Sequence, residues 1–289
     1  MLIFAGSWGG VDMQAELTSR ECKVTLFEGR FAGNDKTCLP AVKEFWTHII
    51  KLLAENGIST VGKLNQADPE KQRDLFFLDT LDKALYRQSD LVFRLRREAS
   101  SKADWEVTLK FRHGDRLLAG AQVFRASKKD KVKFEEDVKI VISSDAPRFW
   151  ALFSRSAEAQ VRDAETLKTV GDCLALYEKL PKKSLPLGDT PVSRVNGLTV
   201  REHVFEGGYL ELDDDVEAEC AMILWWKQGE PDAPVAAEFS FRFDLDKNGE
   251  AESKVVRTAW KVLAALVQSP WVNPKGKTKT ALAYGDAEV

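Results

Sequence analysis

Four short segments of this chain alternate charged and apolar residues: Glu21-Cys22-Lys23-Val24, Phe93-Arg94-Leu95-Arg96, Thr108-Leu109-Lys110-Phe111-Arg112 and Lys131-Val132-Lys133-Phe134-Glu135-Glu136-Asp137. Side chains along a strand point to opposite faces with a period of two, so each segment collects its charges on one face. The other face is apolar and needs a covering layer. Several such strands in one sheet bring Arg, Lys, Glu and Asp onto a shared surface. Cations suit phosphate oxygens and carboxylates suit a divalent metal, a pairing fitted to polyphosphate chemistry.

Covering layers are legible as helices. Pro40 opens an amphipathic helix with Val42, Phe45, Trp46, Ile49, Ile50 and Leu53 on one stripe, closed by Asn56-Gly57. A second stripe carries Val255, Val256, Ala259, Trp260, Leu263 and Leu266. Strands are expected at about 20–27, 91–98, 104–112, 116–125 and 131–143, then at 198–206, 209–213, 216–227 and 235–245. Helical spacing is read at 147–163 and 165–180. Residues 1–18, with Gly6, Gly9 and Gly10, read as loosely structured, 65–74 as a charged linker and 270–289 as a lysine-rich tail. Without internal repeats, this is one α+β domain over 1–289 built on antiparallel strands. An open sheet would wet its charged face; a curled one would line its interior with the charges.

The chain has 289 residues, 30% of them charged, yet a net charge of only −3. That balance argues against a nucleic-acid partner, which would call for a global basic excess, so cationic function is local. No stretch reaches the roughly 18 apolar residues of a bilayer span, and the N-terminus makes a poor secretory signal. A cytoplasmic protein without a membrane partner is expected, its scattered Cys22, Cys38, Cys173 and Cys220 being free thiols. The sequence leaves the oligomeric state open.

In order, Glu21-x-Lys23, Phe77-Leu-Asp79-Thr80, Phe93-Arg94-Leu95-Arg96, Thr108-Leu109-Lys110 and Lys133-x-Glu135-x-Asp137 resemble the CYTH family, the triphosphate tunnel metalloenzyme superfamily. The resemblance runs over most of the chain. It implies an eight-stranded antiparallel β tunnel with helices outside, and hydrolysis of a triphosphate such as inorganic tripolyphosphate, thiamine triphosphate or a nucleoside triphosphate. It further implies Mg²⁺ or Mn²⁺ as cofactor and a metal-activated water in place of a protein nucleophile. Position by position, Lys23, Arg94, Arg96, Lys110 and Lys133 would bind phosphate, with Arg201 and Arg242 as weaker candidates. Glu21, Glu135, Asp137 and Glu238 would bind metal.

Two positions depart from the family pattern. Ser19 replaces the first glutamate of E-x-E-x-K, and Ser240 replaces the second acid of the late strand. Fewer carboxylates weaken the hold on a hard cation. Two other functions therefore stand beside hydrolysis: a non-catalytic polyphosphate or nucleotide binder with a degenerate metal site, and a CYTH-type adenylate cyclase. Asp79-Thr80 reads equally as a strand end or a site element. Asp213-Asp214-Asp215 reads as a solvated turn, with Glu16 or this run as a compensating acid in the alternative. Trp225-Trp226 and Phe76-Phe77 read as core, His113 as exposed, and Lys275, Lys277 and Lys279 as a solvated end with closure over the tunnel mouth as the alternative.

Overall fold

The alternation becomes strand pairing in the computed structural model, which describes residues 15–62, 68–123, 125–126, 132–143, 146–180 and 185–285. Nine strands form the framework: β1 (Ser19–Thr25), β2 (Lys71–Asp79), β3 (Leu91–Glu98), β4 (Trp105–His113), β5 (Val132–Ser143), β6 (Ala146–Val161), β7 (Val200–Asp213), β8 (Val216–Lys227) and β9 (Ala236–Asp244). They pair in the order β2-β3-β4-β6-β5-β1-β9-β8-β7. β7 then pairs back onto β2, from Val200 opposite Leu75 to Val204 opposite Lys71, and the ring is closed. The expected sheet has curled on itself, removing its long edges.

The expected eight antiparallel strands are corrected on both counts. The ring has nine strands among the described residues, and β1 runs parallel to β5 while antiparallel to β9. The geometric reason is that β1 fills the gap between the edge of the β5–β6 hairpin and the edge of β9. The extra strand comes from 147–163, read from sequence as helix. That segment is β6, paired with β4 through Trp105–Val161 and with β5 through Ser143–Ala146. Phe149, Leu152 and Phe153 have helical spacing, but two waiting strand edges override it.

Other boundaries differ as well. Residues 116–125 do not form one strand: Arg116–Gly120 is a short helix, α3, whose first amides at Leu117 and Leu118 donate to the Asp115 carboxylate. In 165–180 the helix shrinks to α4 (Val170–Leu174), followed by a short strand Tyr177–Lys179. The two strands expected at 198–206 and 209–213 are one strand, β7, with a register shift between Phe205 and Gly208. Gly6, Gly9 and Gly10 lie outside the described residues, whereas Leu17 is buried.

Helices cover the outer apolar faces. α1 (Leu39–Glu55) and α5 (Ser253–Val267) pack over Cys22, Val24, Phe239, Phe241 and Met222. Phe45 and Trp46 each meet Phe239 at a ring-centroid distance of 5.7 Å, and burying such a side chain contributes about 2–3 kcal/mol. On the opposite side Phe93, Leu95, Leu109 and Phe111 pack with Ala157, Val170 and Tyr177. Within the described part of the tail Lys275 and Lys277 are exposed, as expected of a solvated end, whereas Trp271 and Val272 are buried and α6 (Lys279–Tyr284) buries Tyr284. Tyr284 joins Leu75, Phe77, Val92 and Trp225 in an apolar cluster inside the barrel, and stacks on Tyr86 of α2 (Ala84–Ser89), 4.1 Å between centroids. Among the described residues no helix is long and apolar enough to cross a membrane.

Candidate functional site

Because Cys22 and Val24 face the helices, Glu21 and Lys23 must face inward, and the same parity operates round the ring. The result is a tunnel of about 430 Å³, within the range of small-molecule sites. β1 contributes Glu21 and Lys23; β2, Lys71 and Arg73; β3, Arg94 and Arg96; and β4, Thr108, Lys110 and Arg112. β5 adds Lys133 and Glu135, β7 Glu202 and Glu206, β8 Glu219 and Trp225, and β9 Glu238, Ser240 and Arg242. α6 supplies Lys279 and Thr280. Among the described residues ten lysines and arginines thus face six glutamates on the tunnel wall, a local positive excess in a chain of net charge −3. Such a wall attracts anions.

One side is dominated by arginine. Arg96 meets Glu106 at 2.5 Å, and Arg73 meets Glu202 at 3.4 Å. Trp225 Nε1 donates to the other Glu202 oxygen at 2.9 Å. Lys71 pairs with Glu206. Arg94 is less well served: it donates to Thr108 Oγ1 at 3.2 Å and lies 4.0 Å from Glu106. Its buried Nε makes no hydrogen bond among the described residues. Burial, followed by the like charge of Arg96, pulls the Arg94 guanidinium down to a pKa of about 10. A guanidinium so placed gains from an incoming anion.

Across the tunnel the carboxylates are already neutralised. Glu21 and Asp137 are register partners on the parallel pair β1 and β5. Lys23 Nζ lies between them, 2.8 Å from Glu21 Oε2 and 2.9 Å from Asp137 Oδ1. Arg112 approaches Asp137 at 3.2 Å and Lys110 at 3.8 Å. Burial opposes ionisation of Asp137, but Lys23, Lys110 and Arg112 outweigh it and hold its carboxyl well below the ordinary range. Lys110 is drawn down by burial despite Asp137 and Glu135. Glu135 is 3.9 Å from Lys110 and accepts from Ser19 Oγ at 3.5 Å; Glu238 pairs with Lys279 at 2.8 Å.

A divalent ion of the Mg²⁺ or Mn²⁺ type takes oxygen ligands, carboxylates foremost. Glu21, Asp137 and Glu238 are each held by an ammonium at under 3 Å. Among the described residues no three acidic, histidine or cysteine side chains converge as a metal-holding group. As arranged, this donor set does not fit a divalent ion.

Of the expected phosphate ligands, Lys23, Arg94, Arg96, Lys110, Lys133 and Arg242 face the tunnel; of the expected metal ligands, Glu21, Glu135 and Glu238 do. Asp137 lines an adjoining recess with Lys23, Arg112 and Lys279. Arg201 does not belong to this wall: it points to the outer face and pairs with Asp74 at 2.8 Å. Its neighbour Glu202 faces inward instead, and counting back by twos from the buried Phe205 gives that parity. Lys71, Arg73, Glu202, Glu206 and Glu219 join the wall without a signal in the sequence reading; Arg112 is there as its alternating segment predicts, and Lys279 follows the alternative reading of the tail lysines. Asp79 caps the turn into α2, accepting from Thr80 N, Leu85 N and Tyr86 N. Asp213 and Asp214 form a turn paired to Lys254. Trp225 is both core and tunnel wall. His113 accepts from Asp115 N and stacks on Phe111.

No protein-family model matches this chain, and no curated protein matches it. Among solved structures it is similar to a candidate adenylate cyclase from Vibrio parahaemolyticus, at 11% identity and a TM-score of 0.33, covering 88% of this chain and 89% of that one. A likeness at that level does not bear on the chemistry of the tunnel. What the chain's own strand pairings establish is an α+β fold with a closed, mixed nine-stranded β barrel and a charged interior.

Proposed function

We propose that the tunnel binds the phosphate chain of a small-molecule triphosphate or polyphosphate. The observation that carries this reading is Arg94: a buried guanidinium beside Arg96, with an unpartnered Nε, opening on a cavity whose wall has more cations than carboxylates. Phosphate oxygens supply the acceptors that Arg94 lacks, and guanidinium geometry permits two parallel bonds to one phosphate. Arg73, Arg96 and Lys71 hold the neighbouring positions through carboxylates on β4 and β7, so the bound chain exchanges partners with a preformed network. The ordered segments that resemble the CYTH family support the same ligand class.

Turnover of the bound triphosphate is the second reading, favoured by Glu21, Glu135 and Glu238 opening on the same cavity as the cations. Incubation with tripolyphosphate, thiamine triphosphate and ATP, each with Mg²⁺, Mn²⁺ or EDTA, separates the two. Thermal stabilisation without phosphate or pyrophosphate release is the expected result. Phosphate release replaces the binder with a hydrolase, and cyclic AMP with pyrophosphate replaces it with a cyclase. Neither stabilisation nor product would overturn the phosphate reading.

A further inference from the structure

We propose that Lys23 is a built-in counter-ion, occupying the position between Glu21 and Asp137 that a divalent cation would otherwise take. The tunnel then receives its phosphate ligand free of metal, a deepening that rests on the phosphate-binding reading above.

The placement follows from the strand framework. On the parallel pair, Glu21 stands opposite Asp137 and Lys23 opposite Lys139. Two residues further along the same inward face of β1, the Lys23 stem can curl its ammonium back between the two carboxylates. It donates a charge-assisted hydrogen bond to Glu21 at 2.8 Å and forms an ion pair with Asp137 at 2.9 Å. The site is secluded, with the Lys23 side chain 15% and Asp137 6% exposed.

A divalent ion entering here would have to displace Lys23 and leave a buried ammonium without its partners, a costly exchange. Arg112 and Lys110 add two further positive charges around Asp137. On the other flank of β1, Lys23 is register partner to Ser240, a hydroxyl that brings no negative charge. Glu238, two residues away, is already taken by Lys279. Cations have filled the acidic side from within, and the two serines leave too few carboxylates to retain both an ammonium and a metal.

The test is Mn²⁺ binding followed by paramagnetic resonance, on wild type and on Lys23→Met. The methionine keeps most of the side-chain volume and removes the charge. Wild type is expected to leave Mn²⁺ free, and the variant to bind it at least about tenfold more tightly, as expected once its two carboxylates lose their ammonium. Lys23→Arg, which keeps the charge, is expected to behave as wild type and covers the case in which the methionine variant fails to fold. Calorimetry with tripolyphosphate is expected to give an affinity in EDTA at least equal to that in Mg²⁺. One-to-one Mn²⁺ binding by wild type as tight as by Lys23→Met, or tripolyphosphate binding that requires Mg²⁺, would overturn the proposal. Absence of tripolyphosphate binding under every condition overturns the phosphate reading alone, and the Mn²⁺ comparison still decides the role of Lys23.

Discussion

Arg94 and Arg96 lie on the same inward face of β3, and Glu106 serves them unequally: it is 2.5 Å from Arg96 but 4.0 Å from Arg94. Glu106 favours Arg96, and Arg94 is left with weaker compensation from Glu106 and Glu202. Its charge is therefore poorly compensated by the protein's own carboxylates. Arg94→Met is expected to leave unfolding stability unchanged or to raise it. The same substitution lowers tripolyphosphate affinity by about tenfold or more, the scale of a lost charge-assisted hydrogen bond. Urea unfolding and calorimetry on the same samples check the opposite signs.

Asp79 gives the reverse pattern. Its carboxylate accepts from three backbone amides at 2.7, 3.0 and 3.0 Å and holds the turn into α2. Asp79→Ala is expected to cost about 2 kcal/mol of stability, at the upper end for a lost helix-capping carboxylate. Tripolyphosphate affinity should stay at the wild-type value, because Asp79 is not on the tunnel wall.

Lys279 ties the C-terminal segment to the tunnel through Glu238. Lys279→Ala leaves that carboxylate buried without its ammonium. The expected cost is about 2 kcal/mol, less than the roughly 3–5 kcal/mol of a fully buried pair because the lysine is partly solvated. Adding Glu238→Gln should recover most of the loss, a coupling that a double-mutant cycle measures directly.

Asp137 makes an acid limb. Its folded carboxyl lies well below the ordinary 3.8. Below that pH the unfolded chain binds a proton at this position that the folded chain does not, so stability falls as pH falls. Above it the contribution is fully present. The stability gap between wild type and Asp137→Asn is thus expected to be largest near neutrality and to shrink below pH 3.8. Denaturant titrations at stepped pH check this; a gap that stays constant into acid contradicts it.

The inward face was legible wherever one strand face is cleanly apolar. Cys22 and Val24 fix the parity of Glu21 and Lys23; Phe93 and Leu95 do the same for Arg94 and Arg96. On β7, Arg201, Glu202, His203 and Val204 give no such contrast, and Arg201, a weaker candidate for the tunnel, lies on the outer face with Asp74. β6 was hidden because its inward residues Ser154 and Ser156 alternate with Ala157 and Ala159, which favour a strand weakly. Lys279 carried no local signal: its approach to Glu238 depends on Trp271, Val272 and Tyr284 anchoring the tail. The neutralisation of Asp137 likewise needed β1, β4 and β5 to be brought together, a tertiary fact absent from any one segment.

The most direct measurement is a calorimetric titration of wild type and the Arg94→Met/Arg96→Met pair with tripolyphosphate in EDTA. Saturable one-to-one binding by wild type, weakening as salt is added and lost in the double variant, is the predicted result. Equal binding by both proteins, or none by wild type, would contradict a cation-lined phosphate tunnel.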